Sequence, residues 1–325
     1  MTLSPQLQQS LINLARLALT LGLLGILFVS ADLQAVWDLL RSVDVRLYAV
    51  CSAISTVGMG LRALRWHAVL QAVGARVSFK RALYLCYVGA FFNIFLPSGL
   101  GGDVIRVLEI GPGASKQQAT GTILVERLAG FAVLFGLALI TLPYAAQFLP
   151  SQVTAFIALL TFGVLGVTAL LLEGKLLRRL MAHFPKAISL AGDTWLGQTY
   201  DVITACGWGA LGRAALISLV FNLSIVGSNW LVARALGLEV PLWAVALILP
   251  IISATLLIPL SISGFGVREG VVVLLLAQVG LNTDQGLLLS LAWYGLDILD
   301  GLYGGLIYFF TGILGIRPKP VSSSK

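Results

Sequence analysis

A proline, a glycine and an arginine recur at a fixed offset of 162 residues in strongly apolar sequence: Pro97, Gly102 and Arg106 in LPSGLGGDVIRVLEI, then Pro259, Gly264 and Arg268 in IPLSISGFGVREGVV. Proline removes a helical hydrogen bond and clashes with the preceding turn, and glycine admits backbone that other residues avoid. The surrounding chain is 58% hydrophobic and only 11% charged, with a mean hydropathy of +0.95, so the breaks fall where lipid leaves unpaired backbone groups unsatisfied. Broken helices of this kind persist where they are buried in protein or line a polar cavity, a common way to build a site near the bilayer midplane. The offset is close to half of the 325 residues, which implies two copies of one unit.

The expected fold is all-α: a polytopic membrane protein with about six full spans and two broken or re-entrant segments, arranged as two inverted repeats. Apolar windows long enough to cross roughly 30 Å of hydrocarbon lie at 11–29, 47–73, 119–147, 153–172, 209–235 and 286–314. The broken segments are 82–110 and 242–281. The offset of 162 carries the second window onto the fifth and the third onto the sixth. Residues 31–44, ADLQAVWDLLRSVD, place Leu33, Val36, Trp37 and Leu40 on one face, which suits a short interfacial helix. One integral membrane domain of 1–325 follows, with halves at about 11–150 and 151–316 and a tail at 317–325. Basic residues cluster at 76–81, 175–186 and in the tail, and 146–152 and 236–242 carry no Lys or Arg. Both termini are therefore expected in the cytoplasm. The net charge of +7 reads as this cytoplasmic excess rather than as a nucleic-acid surface. Cys51, Cys86 and Cys206 lack metal-type spacing and read as packing residues, with no disulfide and no metal site implied.

Ionised side chains at bilayer depth cost roughly 2.5–3.5 kcal/mol each on insertion scales, so each needs a partner, a wet cavity or a function. The apolar windows carry Arg62, Arg65, Asp103, Arg106, Glu109, Glu126, Arg127, Arg268, Glu269, Asp297 and Asp300. The signs nearly balance, which favours internal ion pairs. Arg65 and Trp66, near the end of their window, suit interfacial anchoring. Arg106 and Arg268 each follow a break by four residues, where a new helix would present free N–H groups to an anion. Arginine adds a fork of donors matched to phosphate. An anionic head group is thus expected between Arg106 and Arg268. Arg62, Asp103, Glu126, Arg127, Glu269, Asp297 and Asp300 would orient the arginines or carry protons. Pro97, Gly101, Gly102, Pro259, Gly264 and Gly266 would form the helix breaks. Asn93, Ser98, Ser261 and Ser263 would either complete the polar lining or satisfy the backbone freed by the prolines.

The segments RALRWHAVLQAVG (62–74), FFNIFLPSGLGGDVIRV (91–107), GTILVERLAG (121–130) and IPLSISGFGVREGVVVLLLAQVGL (258–281) occur in an order that resembles the lysylphosphatidylglycerol synthase transmembrane, or flippase-like (UPF0104), family. The matching positions are Asn93, Pro97, Gly102, Arg106, Glu126, Arg127, Gly264, Gly266, Arg268 and Glu269. The resemblance implies a multi-pass bacterial-type inner-membrane protein that moves a lipid between leaflets. The lipid would be an anionic phospholipid or a polyprenyl-type lipid. It also implies that the aminoacyltransferase domain of the bifunctional synthases, which would follow Lys325, is absent and that synthase activity is absent with it.

His67 and His183 have no paired nucleophile, and Walker, Rossmann and kinase motifs are missing, so neither an enzyme nor a cofactor is expected. Lipid movement would then be downhill, ion-coupled or assisted by a partner, with Glu126, Glu269, Asp297 and Asp300 as candidate proton carriers. The alternative is an accessory subunit that presents a lipid-linked substrate to a glycosyltransferase or lipid synthase without moving it. An intramembrane transferase using the carboxylates as acid and base is a third reading.

Overall fold

The computed structural model describes residues 33–95, 100–174, 177–179, 194–256 and 266–313. Eleven helices run through them: α1 (Leu33–Arg41), α2 (Val45–Ala72), α3 (Phe79–Phe95), α4 (Gly101–Leu108), α5 (Lys116–Ala145), α6 (Ser151–Glu173), α7 (Trp195–Ala205), α8 (Gly207–Ala235), α9 (Leu242–Thr255), α10 (Val267–Ala277) and α11 (Thr283–Ile313). Helices α2, α5, α6, α8 and α11 are long and apolar enough to cross a membrane. They coincide with five of the six expected windows. The sixth, 11–29, and the tail at 317–325 lie outside the described residues, as do Pro97, Ser98, Pro259, Ser261, Ser263 and Gly264.

Local sequence accounts for the helix starts. Asp44 caps α2, its carboxylate accepting the Arg46 and Leu47 N–H groups at 2.9 and 3.1 Å. Ser115 and Gln118 form a reciprocal capping box on α5. Gly266, at φ +82°, turns the chain into α10, and the Glu269 carboxylate accepts its N–H at 2.7 Å.

The offset of 162 recurs in the architecture. It carries α2 onto α8, α3 onto α9, α5 largely onto α11, and α1 onto α7, while α6 falls between the two sets. Each broken segment is a pair of shorter helices, α3–α4 and α9–α10. The α7 helix was not anticipated, because its sequence mixes polar and apolar residues and it becomes conspicuous only as the counterpart of α1.

At the centre α2 packs on its own counterpart α8. The Asp44 N–H donates to the Ala235 carbonyl at 2.8 Å, the Ser228 hydroxyl to the Cys51 carbonyl at 3.2 Å, and Arg65 to Ser218 at 2.9 Å. Partner numbers fall on α8 as they rise on α2, so the two helices are antiparallel. Equivalent helices running in opposite directions are the geometry of inverted repeats. The exchange extends outward, since α3 packs on α11 as α9 packs on α5, and α8 packs on α5 as α2 packs on α11.

Small residues set the closest crossings. A Cβ on Gly102 would lie 2.1 Å from the Gly89 carbonyl oxygen, which is how α4 folds back onto α3. A Cβ on Gly304 would lie 2.0 Å from the Tyr87 carbonyl oxygen at the α3–α11 crossing. Backbone on both sides cannot yield, so Gly304→Ala is expected to destabilise the protein by about 1–3 kcal/mol. Gly136→Ala, with open space around the added methyl, is the matched control. Thermal unfolding in detergent checks this, and equal midpoints for the two variants would contradict the assigned packing.

Candidate functional site

The charged residues of the first half converge where α2, α4 and α5 meet. Glu126 is completely buried, ten residues beyond Lys116 and so about 15 Å along the roughly 45 Å of α5. Its Oε1 accepts from Arg65 Nη2 at 2.6 Å and lies 3.5 Å from Arg62 Nε, and its Oε2 accepts from Arg106 Nη2 at 2.8 Å. Asp103 on α4 accepts from Arg106 Nη1 at 2.7 Å, accepts from Arg127, and lies 3.6 Å from Arg62 Nη2. Four guanidiniums thus surround two carboxylates. Arg65 and Arg106 are the most deeply buried of the four, and Arg62 and Arg127 are the more exposed.

A central cavity of about 350 Å³ lies beside this network. The first half contributes Arg62, Arg65, Glu126, Arg127 and Asn93 to it, and the second half Asn222, Arg268, Tyr294, Asp297 and Asp300. The side chains of Arg62 and Arg127 are 21% and 19% exposed, against 1% for Arg106. A second chamber of about 250 Å³ shares Arg268, Tyr294 and Asp297 with the first and adds Ser55, Ser224, Ser228 and Asn229. From the first chamber to the second, the lining shifts from Arg62 and Arg65 to Ser55 on α2, and from Phe221 and Asn222 to Ser228 and Asn229 on α8. These helices are antiparallel, so both shifts run the same way along the bundle, and the chambers are stacked with Arg268, Tyr294 and Asp297 at their junction.

The geometry revises several expectations. Arg106 does not line the cavity. Its two terminal nitrogens serve Asp103 and Glu126, its guanidinium lies 4.0 Å from the Trp66 ring centroid, and it sits in the last turn of the short α4 rather than at a helix start. The expected pairing of Arg106 with Arg268 across one ligand therefore gives way to Arg62, Arg127 and Arg268 around the cavity. Arg65 and Trp66 are not interfacial anchors. Arg65 is 4% exposed and bound to Glu126 and Ser218, and Trp66 is fully buried with its indole N–H donating to Thr122 at 3.1 Å. A cation and an indole near a helix end suggest anchoring when one helix is considered alone. Their partners sit on α5 and α8, which the spacing within α2 does not reveal.

Other candidates take structural positions. Asn93 accepts the Gly102 N–H at 2.6 Å, so it satisfies backbone at the break while also lining the cavity. Glu269, fully buried, pairs with Arg268 and caps α10 through Gly266. Arg268 lies 4.1 Å from the Tyr294 ring centroid, a cation–π arrangement like that of Arg106 on Trp66. Gly101 and Gly102 open α4. Glu109 is at the outer end of α4, 3.7 Å from Arg81 and away from the network. Several contributors escaped the sequence reading: Ser55 and Ser218, each the hydroxyl partner of a charged group on another helix, and Asn222 and Tyr294 in the cavity lining.

Asp297 and Asp300 stand apart from the arginine network. Asp300 Oδ2 accepts from the Ser55 hydroxyl at 2.5 Å, and its Oδ1 is buried without a partner. Asp297 is exposed and lines both chambers, and it makes no hydrogen bond or ion pair with any described residue. The combined cavity therefore has a cationic pole, built by α2, α5 and α10, and an anionic pole on α11.

Comparison with known proteins yields one family, described as the lysylphosphatidylglycerol synthase TM region, which matches residues 13–302. Neither a curated protein nor a solved structure matches the chain.

Proposed function

Because this chain belongs to the lysylphosphatidylglycerol synthase TM region family, we propose that it is a translocase that binds the anionic head group of a membrane lipid in the central cavity and moves it between leaflets. The observation that carries the reading is that Arg62 and Arg127 of the first half and Arg268 of the second line one cavity at the middle of the bundle. Guanidinium forks bind phosphate oxygens in bidentate fashion, and charge-assisted contacts are strong where water is scarce. A volume of about 350 Å³ lies at the small end of ligand sites, which run from about 300 to 1,000 Å³, and suits a head group rather than a whole lipid.

In this reading Arg65 and Arg106 do not touch the lipid. They hold Glu126 and Asp103, which in turn aim Arg62 and Arg127. The antiparallel repeat supplies the movement: rocking of one half against the other about the α2–α8 contact opens the stacked chambers alternately to the two faces. In this reading both termini lie on the cytoplasmic side of a bacterial-type inner membrane, an orientation that the Lys/Arg distribution supports.

Labelling of a cysteine inside the cavity tests occupancy. Phe131 lines the first chamber and is half-buried, and the native Cys51, Cys86 and Cys206 are all buried. In a variant with those three replaced by alanine, Phe131→Cys is expected to react with an anionic thiol reagent. Short-chain phosphatidylglycerol should slow the reaction, and short-chain phosphatidylcholine should leave it unchanged. Equal protection by both lipids, or by neither, would contradict an anion-selective site.

A further inference from the structure

We infer that Asp297 and Asp300 form a proton site coupled to the anion site, so that an anionic head group crosses together with one proton. The inference rests on the translocase reading above and names its driving force.

Asp297 and Asp300 are three residues apart in the middle of the apolar α11, hence on one face of the helix. No arginine lies within ion-pair distance of either carboxylate among the described residues, whereas Asp103 and Glu126 each have three and Glu269 has Arg268. The side chain of Asp300 is buried, the residue being only 5% exposed, and Oδ1 has no donor. That oxygen is open to a proton, and the Ser55 hydroxyl already serves the other.

The surroundings provide an exchange route but, among the described residues, no ion pair to either carboxylate. Asp297 faces Arg62 and Tyr48 of α2, Arg268 of α10, and Tyr294 of its own helix. Asp300 faces Ser55 of α2 and Tyr87 of α3. From α8 and α9 the second chamber receives only Ser224, Ser228, Asn229 and Ser253 as polar side chains, none of which titrates. Glu126 and Arg127 of α5 line the first chamber and belong to the cationic pole. The exposed Asp297 at the junction can therefore trade a proton with water in either chamber.

Charge balance couples the two poles. Arg62, Arg65, Arg106, Arg127 and Arg268 face Asp103, Glu126, Glu269, Asp297 and Asp300, so the empty cavity is neutral when all are ionised. A bound phosphate diester adds one negative charge, and a proton on the α11 pair restores neutrality. Each ligand then raises the affinity of the other by the same factor. The proton is taken from water on the loading side and released to water on the other, with no bond made or broken in the lipid.

The test is leaflet exchange of fluorescent phosphatidylglycerol in proteoliposomes under an imposed gradient of one pH unit. Coupling to one proton is expected to skew the leaflet ratio by up to about tenfold toward the alkaline side. Asp297→Asn, which removes no ion pair and is expected to fold, should hold the ratio near one. Exchange that ignores the pH gradient overturns the inference while leaving the translocase intact, and so does a skew that persists in Asp297→Asn. A skew driven by a sodium gradient in place of the pH gradient overturns the proton assignment. Absence of exchange for every lipid overturns the translocase reading, and this inference falls with it.

Discussion

Glu126→Ala is expected to cost the protein about 3–5 kcal/mol of stability, the range for stranding buried charge by removing one partner of an ion pair. Glu126 is the single carboxylate that Arg65 and Arg106 share, at 2.6 and 2.8 Å, and both guanidiniums are almost wholly buried. Its loss leaves them, with Arg62 close by, to repel one another around Asp103 alone. Glu126→Gln keeps the volume and one acceptor oxygen, so its cost should be smaller but of the same sign. Thermal unfolding of the purified protein in detergent should rank wild type above Glu126→Gln and Glu126→Ala lowest. A midpoint for Glu126→Ala equal to wild type would contradict the assignment of Glu126 as the hub of the network.

The second large effect concerns function without stability. In Arg62→Ala/Arg127→Ala, Arg65 and Arg106 still match Glu126 and Asp103, so the buried interior remains balanced and the fold should survive. What disappears is the pair of guanidiniums that lines the cavity. A hydrogen bond to a charged group contributes about 1.5–3 kcal/mol, so each arginine lost from a phosphate should weaken binding by about 10- to 100-fold. Arg127→Lys is expected to be intermediate, because it keeps the charge and loses the fork. Arg106→Ala should behave differently, unfolding the network rather than merely emptying the site.

The repeat was legible because one offset linked three residue types and then whole helices, and its inversion followed from the three crossings expected between equivalent points. Pro and Gly mark breaks locally, so α3–α4 and α9–α10 could be placed from sequence. The identity of the charged partners could not. Arg106 follows Gly102 by four residues in both sequence and structure, but α4 runs only to Leu108, so the arginine closes a helix instead of opening one. Its equivalent Arg268 does stand in the first turn of α10 and does reach the cavity. Symmetry of the backbone thus misleads about symmetry of the chemistry. Glu126 and Arg127 correspond to Leu288 and Leu289, and Asp297 and Asp300 to Phe135 and Ala138, so the equivalent helices α5 and α11 contribute different charges to the cavity. The α7 helix was missed for a related reason, since its residues carry little periodic signal and its equivalence to α1 is one of position.

The central claim is that an anionic lipid crosses the protein through the cavity bordered by Arg62, Arg127 and Arg268. The most direct measurement is leaflet exchange in proteoliposomes of fluorescent phosphatidylglycerol and phosphatidylcholine, for wild type beside folded Arg62→Ala/Arg127→Ala. Rapid exchange of phosphatidylglycerol over phosphatidylcholine in wild type, with the preference lost in the double variant, is the predicted result. Exchange with equal rates for both lipids, or a preference that survives removal of both arginines, would contradict it.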